Sequence, residues 1–65
     1  MNNAKIITAA ELLYTRKEHQ AAQYINRHGL SADDVIAVLV DLVGEYAASF
    51  YRKDLKKAQA VAAID

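Results

Sequence analysis

The residues of this chain that could do chemistry are few and badly spaced for it. His19 and His28 stand nine apart, and at 100° per helical residue they point to different azimuths, so they do not share a metal ion within one chain. Neither an H-E-x-x-H nor an E-x-x-H pattern occurs, which removes the zinc-protease and di-iron bundle readings. The hydroxyls of Thr8, Ser31 and Ser49 have no histidine and acid placed to activate them, and two of them sit where a hydroxyl caps a helix. Gly29 and Gly44 are isolated, whereas a phosphate-cradling loop needs several glycines. With no cysteine in the chain, disulfides and thiolate metal sites are excluded. The expectation is a protein that is not an enzyme and uses no cofactor, no metal and no small-molecule substrate.

What remains is surface. Sixty-five residues make one small domain, and 54% apolar content with two glycines and no proline favours helices over a many-turned β fold. Thirteen of the 35 apolar residues are alanine, which promotes helix but buries little area. A core built this way inside so short a chain calls for a partner chain. Eight basic and eight acidic residues cancel, which argues against bulk nucleic acid or an anionic membrane as the main partner. The charges are unevenly placed: residues 1–28 carry +2, residues 29–50 carry −4 and residues 51–65 carry +2. The strongest apolar run, residues 35–40, stops at Asp41, far short of the roughly 20 residues of a membrane span. Without an apolar signal core at the N-terminus, a cytoplasmic location is the expectation.

Two helix starts carry the same chemistry, a capping hydroxyl followed three residues later by an acid: Thr8 with Glu11, and Ser31 with Asp34. Ile7 with Leu12 and Leu30 with Val35 stand at the flanking staple positions. Gly29 falls where a left-handed residue ends a helix, with Leu30 folding back on Ile25. The pattern predicts an all-α chain: a tail or short strand over residues 1–7, a first helix over 9–28, a tight turn, and a long second helix over 32–62. The short turn makes an antiparallel two-helix hairpin, in which the first helix ends opposite residues near 50. Lys53, Asp54 and Lys57 then fall on azimuths that are apolar earlier in the helix, so residues 52–65 read as a solvated extension. A buried strand over residues 34–43 is the competing reading of that β-branched run, but no turn follows it and no second strand is there to pair with it.

The first helix has one apolar stripe, through Ala10, Leu13, Tyr14, Lys17, Ala21, Tyr24, Ile25 and His28, enough for one neighbour. Lys17, in its centre, either crosses to Asp41 or Glu45 or extends its stem to solvent. His28 sits where it meets the free carbonyls of the helix end or simply solvent. The second helix is apolar over roughly 220° of its circumference, and a surface so broad needs covering on two sides. One cover is the first helix. The other is read as a second copy, giving a homodimeric four-helix bundle through Ile36, Leu39, Val40, Val43, Tyr46, Ala47, Phe50 and Tyr51. Beyond this face, Arg52, Lys53, Lys56 and Lys57 form a basic cluster able to contact phosphate, or to complement the helix dipole from solvent. Gly44, with Ala37 and Ala48, marks a small-residue strip that admits a closely approaching helix or is a tolerated surface glycine.

The leading expectation is a small regulator, adaptor or inhibitor that binds another protein. The second reading is a dimeric DNA-binding regulator. Gly29, Leu30 and Ser31 opening an apolar helix, with a capped helix and a candidate strand before them, resemble ribbon-helix-helix DNA-binding proteins over residues 1 to about 50. That resemblance implies an N-terminal strand that pairs with its twin and reads the major groove. Residues 2–7 supply one basic residue, Lys5, and an apolar end, and the first helix is about a turn too long. A helix-turn-helix fits less well, because its recognition helix would open with Asp33 and Asp34 against phosphate.

Overall fold

The computed structural model describes residues 3–64. The chain forms four helices, α1 (Asn3–Tyr14), α2 (Glu18–His28), α3 (Ala32–Val43) and α4 (Glu45–Ile64), and no strand among the described residues. The fold is all-α as expected. The two-helix hairpin is corrected, because each expected long helix is broken once.

The first break follows Tyr14. Arg16 takes φ 67°, and two hydrogen bonds close α1: the Arg16 N–H donates to the Leu13 carbonyl at 3.1 Å and the Lys17 N–H to that of Leu12 at 2.9 Å. This is the Schellman termination. It recurs at the end of α2, where Gly29 lies at φ 62° and ψ 34° and the Leu30 N–H donates to the Ile25 carbonyl at 3.0 Å. Glycine adopts that conformation freely, whereas an L-residue there loses about 1 to 2 kcal/mol. Arg16 bears that loss and makes two contacts with α4: its guanidinium lies 3.8 Å from the Asp54 carboxylate and 5.1 Å from the centre of the Tyr51 ring.

The second break is Gly44 alone, at φ 90° and ψ 165°. Its N–H still donates to the Val40 carbonyl at 2.9 Å, and its carbonyl accepts from the Ala48 N–H at 3.0 Å, so one residue ends α3 and opens α4. Between α2 and α3, Ser31 caps as expected, its hydroxyl accepting from the Asp34 N–H at 3.4 Å. Thr8 does not cap. Helix α1 already begins at Asn3, and the Thr8 hydroxyl donates back to the Ala4 carbonyl at 2.9 Å. Residues 3–7 are therefore helix rather than tail or strand; the rest of that expectation, residues 1 and 2, lies outside the described residues.

The helices pack in a closed circuit, α1 on α2, α2 on α4, α4 on α3 and α3 on α1, with α1 and α4 just touching across it. Four layers of helix thus come from a single chain. Helices α3 and α4 fold back on each other, so that the Arg52 guanidinium donates to Asp33 at 2.7 Å across nineteen residues of chain. The core is Ala9, Ala10 and Leu13 from α1, Ala21, Ala22 and Ile25 from α2, Val35, Ile36 and Leu39 from α3, and Ala48 and Leu55 from α4. Five of these eleven are alanines, and their small side chains let the helix backbones come close, which is how an alanine-rich chain reaches a dense interior.

Leu55 is 1% exposed, and Ala58 and Ala62 pack partly buried beside it. The packed region therefore does not end near residue 51, and residues 52–64 are not a solvated extension. The reason is the Gly44 break, which turns α4 so that Ala48, Tyr51, Leu55, Ala58 and Ala62, spaced by three and four, face inward. Leu55→Ala is expected to lower stability by about 2 to 5 kcal/mol, read from urea unfolding, and truncation after Tyr51 should leave a chain without cooperative unfolding. Arg16→Gly should be more stable than Arg16→Ala by about 1 kcal/mol; equal stabilities would mean that Arg16 does not sit in the left-handed region in solution.

Candidate functional site

The eight residues expected at an interface divide three ways. Ile36, 3% exposed, and Leu39, fully buried, are used by the chain's own core. Val40, Val43, Ala47 and Tyr51 are half-buried, three of them packed against that core. Tyr46 and Phe50 stand outside it, 81% and 48% exposed, and their rings meet edge to face with centroids 5.1 Å apart and planes at 87°.

Tyr46 and Phe50 begin a stripe along the outward side of α4. At helical spacing it runs on through Lys53, Lys57, Val61 and Ile64, all exposed. The Ser49 hydroxyl, beside Tyr46, donates to the Tyr46 carbonyl at 2.6 Å and is turned to its own backbone. Helix α4 therefore has two apolar faces, one closing the core and one turned to solvent, with lysines in the middle of the second.

The basic cluster is likewise divided. Arg52, Lys53, Lys56 and Lys57 are all exposed, and Arg52 alone is paired with an acid of α3, Asp33. Lys57 also lines an open groove of about 410 Å³ between α2 and α4, together with Glu18, His19, Asp54, Ala58 and Val61. Its polar rim mixes both signs of charge, so an anion meeting Lys57 there also meets Glu18 and Asp54. At the far end of the same helix pair, the Gln59 amide donates to Asn26 at 3.3 Å.

The histidines sit apart along α2. His19 lies 3.3 Å from the Gln23 amide nitrogen, and His28 packs against the Tyr24 ring at 4.4 Å between centroids. A smaller hollow of about 250 Å³ on α1 is lined by Thr8, Glu11, Leu12 and Thr15. Both threonine hydroxyls there donate to carbonyls of their own helix. Among the described residues no three His, Asp or Glu side chains gather as metal ligands, no polar or charged residue is buried, and no helix is long and apolar enough to cross a membrane. The cation of the first helical segment that crosses to another is Arg16, onto Asp54; Lys17 is exposed at the start of α2.

Sequence reasoning missed Arg16 and Leu55. Lys17 in the centre of an apolar stripe was the available signal for the first, since a continuous helix would have had to bury its stem. The alanine pairs Ala9, Ala10 and Ala21, Ala22 were another. The first and last of these four lie off the expected stripe, yet all four are fully buried.

Compared with protein families, curated proteins and solved structures, the chain matches none.

Because Tyr46 is so far exposed in the single chain, Tyr46→Ser should change the folding stability of the dilute monomer by less than about 1 kcal/mol, even with loss of the Phe50 ring contact. Leu39→Ala should lose about 2 to 5 kcal/mol in the same unfolding assay. A large loss at Tyr46 would show that its face is covered in solution.

Proposed function

We propose that the chain is a small, non-enzymatic, homodimeric helical protein that works by binding another protein, as a regulator, adaptor or inhibitor. The observation that carries this reading is the Tyr46 and Phe50 ring pair, in edge-to-face contact with each other yet left outside the core. Large aromatic side chains are enriched at protein interfaces because a rigid ring covers much area for little lost conformational freedom. Val61 and Ile64 prolong the apolar stripe, and Lys53 and Lys57 set its charge between apolar ends, so the fitting partner carries acids flanked by apolar residues. Catalysis has less support: the acids and the histidine of the α2/α4 groove lie in an open cleft where water screens them.

The test is capture from lysate of the source cells, treated with nuclease, on immobilised wild-type chain and on the Tyr46→Ser, Phe50→Ser double variant. A protein held by the wild type at low and physiological salt and lost by the double variant supports the reading. Nucleic acid held without nuclease, falling steeply with salt and lost when Lys53, Lys56 and Lys57 become Glu, would replace it with the DNA-binding alternative. That alternative would rest on the basic cluster, because the segment that the ribbon-helix-helix resemblance makes a strand is helical from Asn3 onward.

A further inference from the structure

At Gly44 the backbone occupies a region that glycine alone visits freely, φ 90° with ψ 165°. A methyl group placed on it would meet nothing within 4 Å, so what ties the position to glycine is its torsion angles and not the space around it. The hydrogen bonds on either side are already helical, Gly44 to Val40 and Ala48 to Gly44. Helices α3 and α4 are one residue short of being one helix. Turned into the helical region, Gly44 would join them into a rod over residues 32–64, about 50 Å long at 1.5 Å per residue.

In that rod Leu39, Leu42, Tyr46 and Phe50 follow one another at spacings of three and four, a single apolar stripe. In the bent chain the stripe is uncovered around the break: Leu39 is fully buried, but Leu42, two residues before Gly44, is 60% exposed and Tyr46, two residues after it, 81%. The residues that a bent chain leaves in solvent are those flanking the bend.

We propose that Gly44 is an exchange hinge: α3 and α4 straighten through it, and two copies of the chain swap their α4 helices, each closing the core of the other. Every contact that α4 makes is kept, now between chains. Arg52 reaches the partner copy's counterpart of Asp33, Asp54 its Arg16, and Leu55 its core. Because residues 33 and 52 lie level in the folded-back chain, the exchange sets the two rods antiparallel, with the two-fold axis beside Gly44 and with Leu42 and Tyr46 of both copies near it. Straightening also gives the N–H groups of Glu45, Tyr46 and Ala47 the carbonyls of Asp41, Leu42 and Val43. Against these gains stands the entropy of association, so the balance depends on concentration. The inference rests on the homodimer of the preceding reading and states how it forms.

Two substitutions push the hinge in opposite directions. Gly44→Ala strains the bent form and favours the rod, in both chains of a dimer, and should lower the dimer dissociation constant on the order of 10³-fold or more. D-alanine at position 44, introduced by chemical synthesis, suits positive φ and opposes a right-handed helix, and should leave a monomer. Mass is read by sedimentation equilibrium. Straightening is read by pulsed electron paramagnetic resonance between spin labels on Asp34→Cys and Lys53→Cys, in a chain that has no other cysteine. Labelled chains are diluted into unlabelled ones, so that the distance is within one chain.

A Gly44→Ala dimer with labels about 28 Å apart along the rod, and a D-alanine monomer with labels close together, is the expected result. A dimer whose labels stay close would overturn the exchange while leaving the homodimer reading standing. A Gly44→Ala chain that is monomeric, or unfolded at every concentration up to about 1 mM, would overturn the exchange as well, since straightening is held to restore the core.

Discussion

Everything in this fold depends on three residues at positive φ, Arg16, Gly29 and Gly44. A 65-residue chain with thirteen alanines cannot fill a core with long helices laid side by side, because each would show too little bulk to its one neighbour. Broken into short helices, the same chain surrounds its interior from four directions. Each left-handed or extended-positive residue reverses the path within a residue or two, and the circuit α1, α2, α4, α3 closes around eleven buried side chains. The alanines then become an asset, since they allow four backbones to approach one another where larger side chains would hold them apart.

Much of this was legible in the sequence, and the parts that were not have a common cause. The turn at Gly29 and Ser31 was readable because it uses the residue types that the backbone there demands: glycine for the left-handed termination and serine for the cap. The break at Arg16 uses the same hydrogen-bond pattern with a residue type that ordinarily propagates a helix, so the residue itself does not mark it, and the one signal is its neighbour Lys17 in the middle of an apolar stripe. Its long-range contacts are with Asp54 and Tyr51, far away in sequence. Gly44 reads in the sequence as a site of close approach or as a tolerated surface glycine; that it ends a helix is decided by tertiary packing, because a lone glycine inside a helical pattern is compatible with either outcome. The broad apolar circumference of residues 35–51 has two physical solutions. A second chain could cover the extra face, or a bend could turn both faces to one core. The bend takes up Ile36, Leu39, Ala48 and Leu55, and leaves Leu42, Tyr46 and Phe50 outside.

The electrostatics follow the same division. The acids of α3 and the bases of α4 are far apart in charge block along the chain, yet the fold-back at Gly44 sets them side by side, and Arg52 on Asp33 is one result. Both side chains of that pair are at least half exposed, so its value lies in registering α4 against α3 and not in stability. Lys53 and Lys57 are exposed on the far side of α4, Lys57 sharing its groove with Glu18 and Asp54, so the middle of the outward stripe is basic between apolar ends.

The two breaks are unlike in what holds them, and this couples the halves of the molecule. Gly44 is permitted by its own lack of a side chain, so the bend between α3 and α4 carries no strain of an L-residue. Arg16 carries the strain of an L-residue in the left-handed region, and the groups that face its guanidinium, the Asp54 carboxylate and the Tyr51 ring, both belong to α4. The ion pair is long and both its side chains are exposed, so these contacts register the reversal against α4 and do not offset the strain. The reversal between α1 and α2, closed by its own backbone hydrogen bonds, is therefore registered against whichever α4 helix is docked. That helix need not come from the same chain, because nothing in the Arg16 contacts depends on how residue 44 connects Tyr51 and Asp54 to the rest.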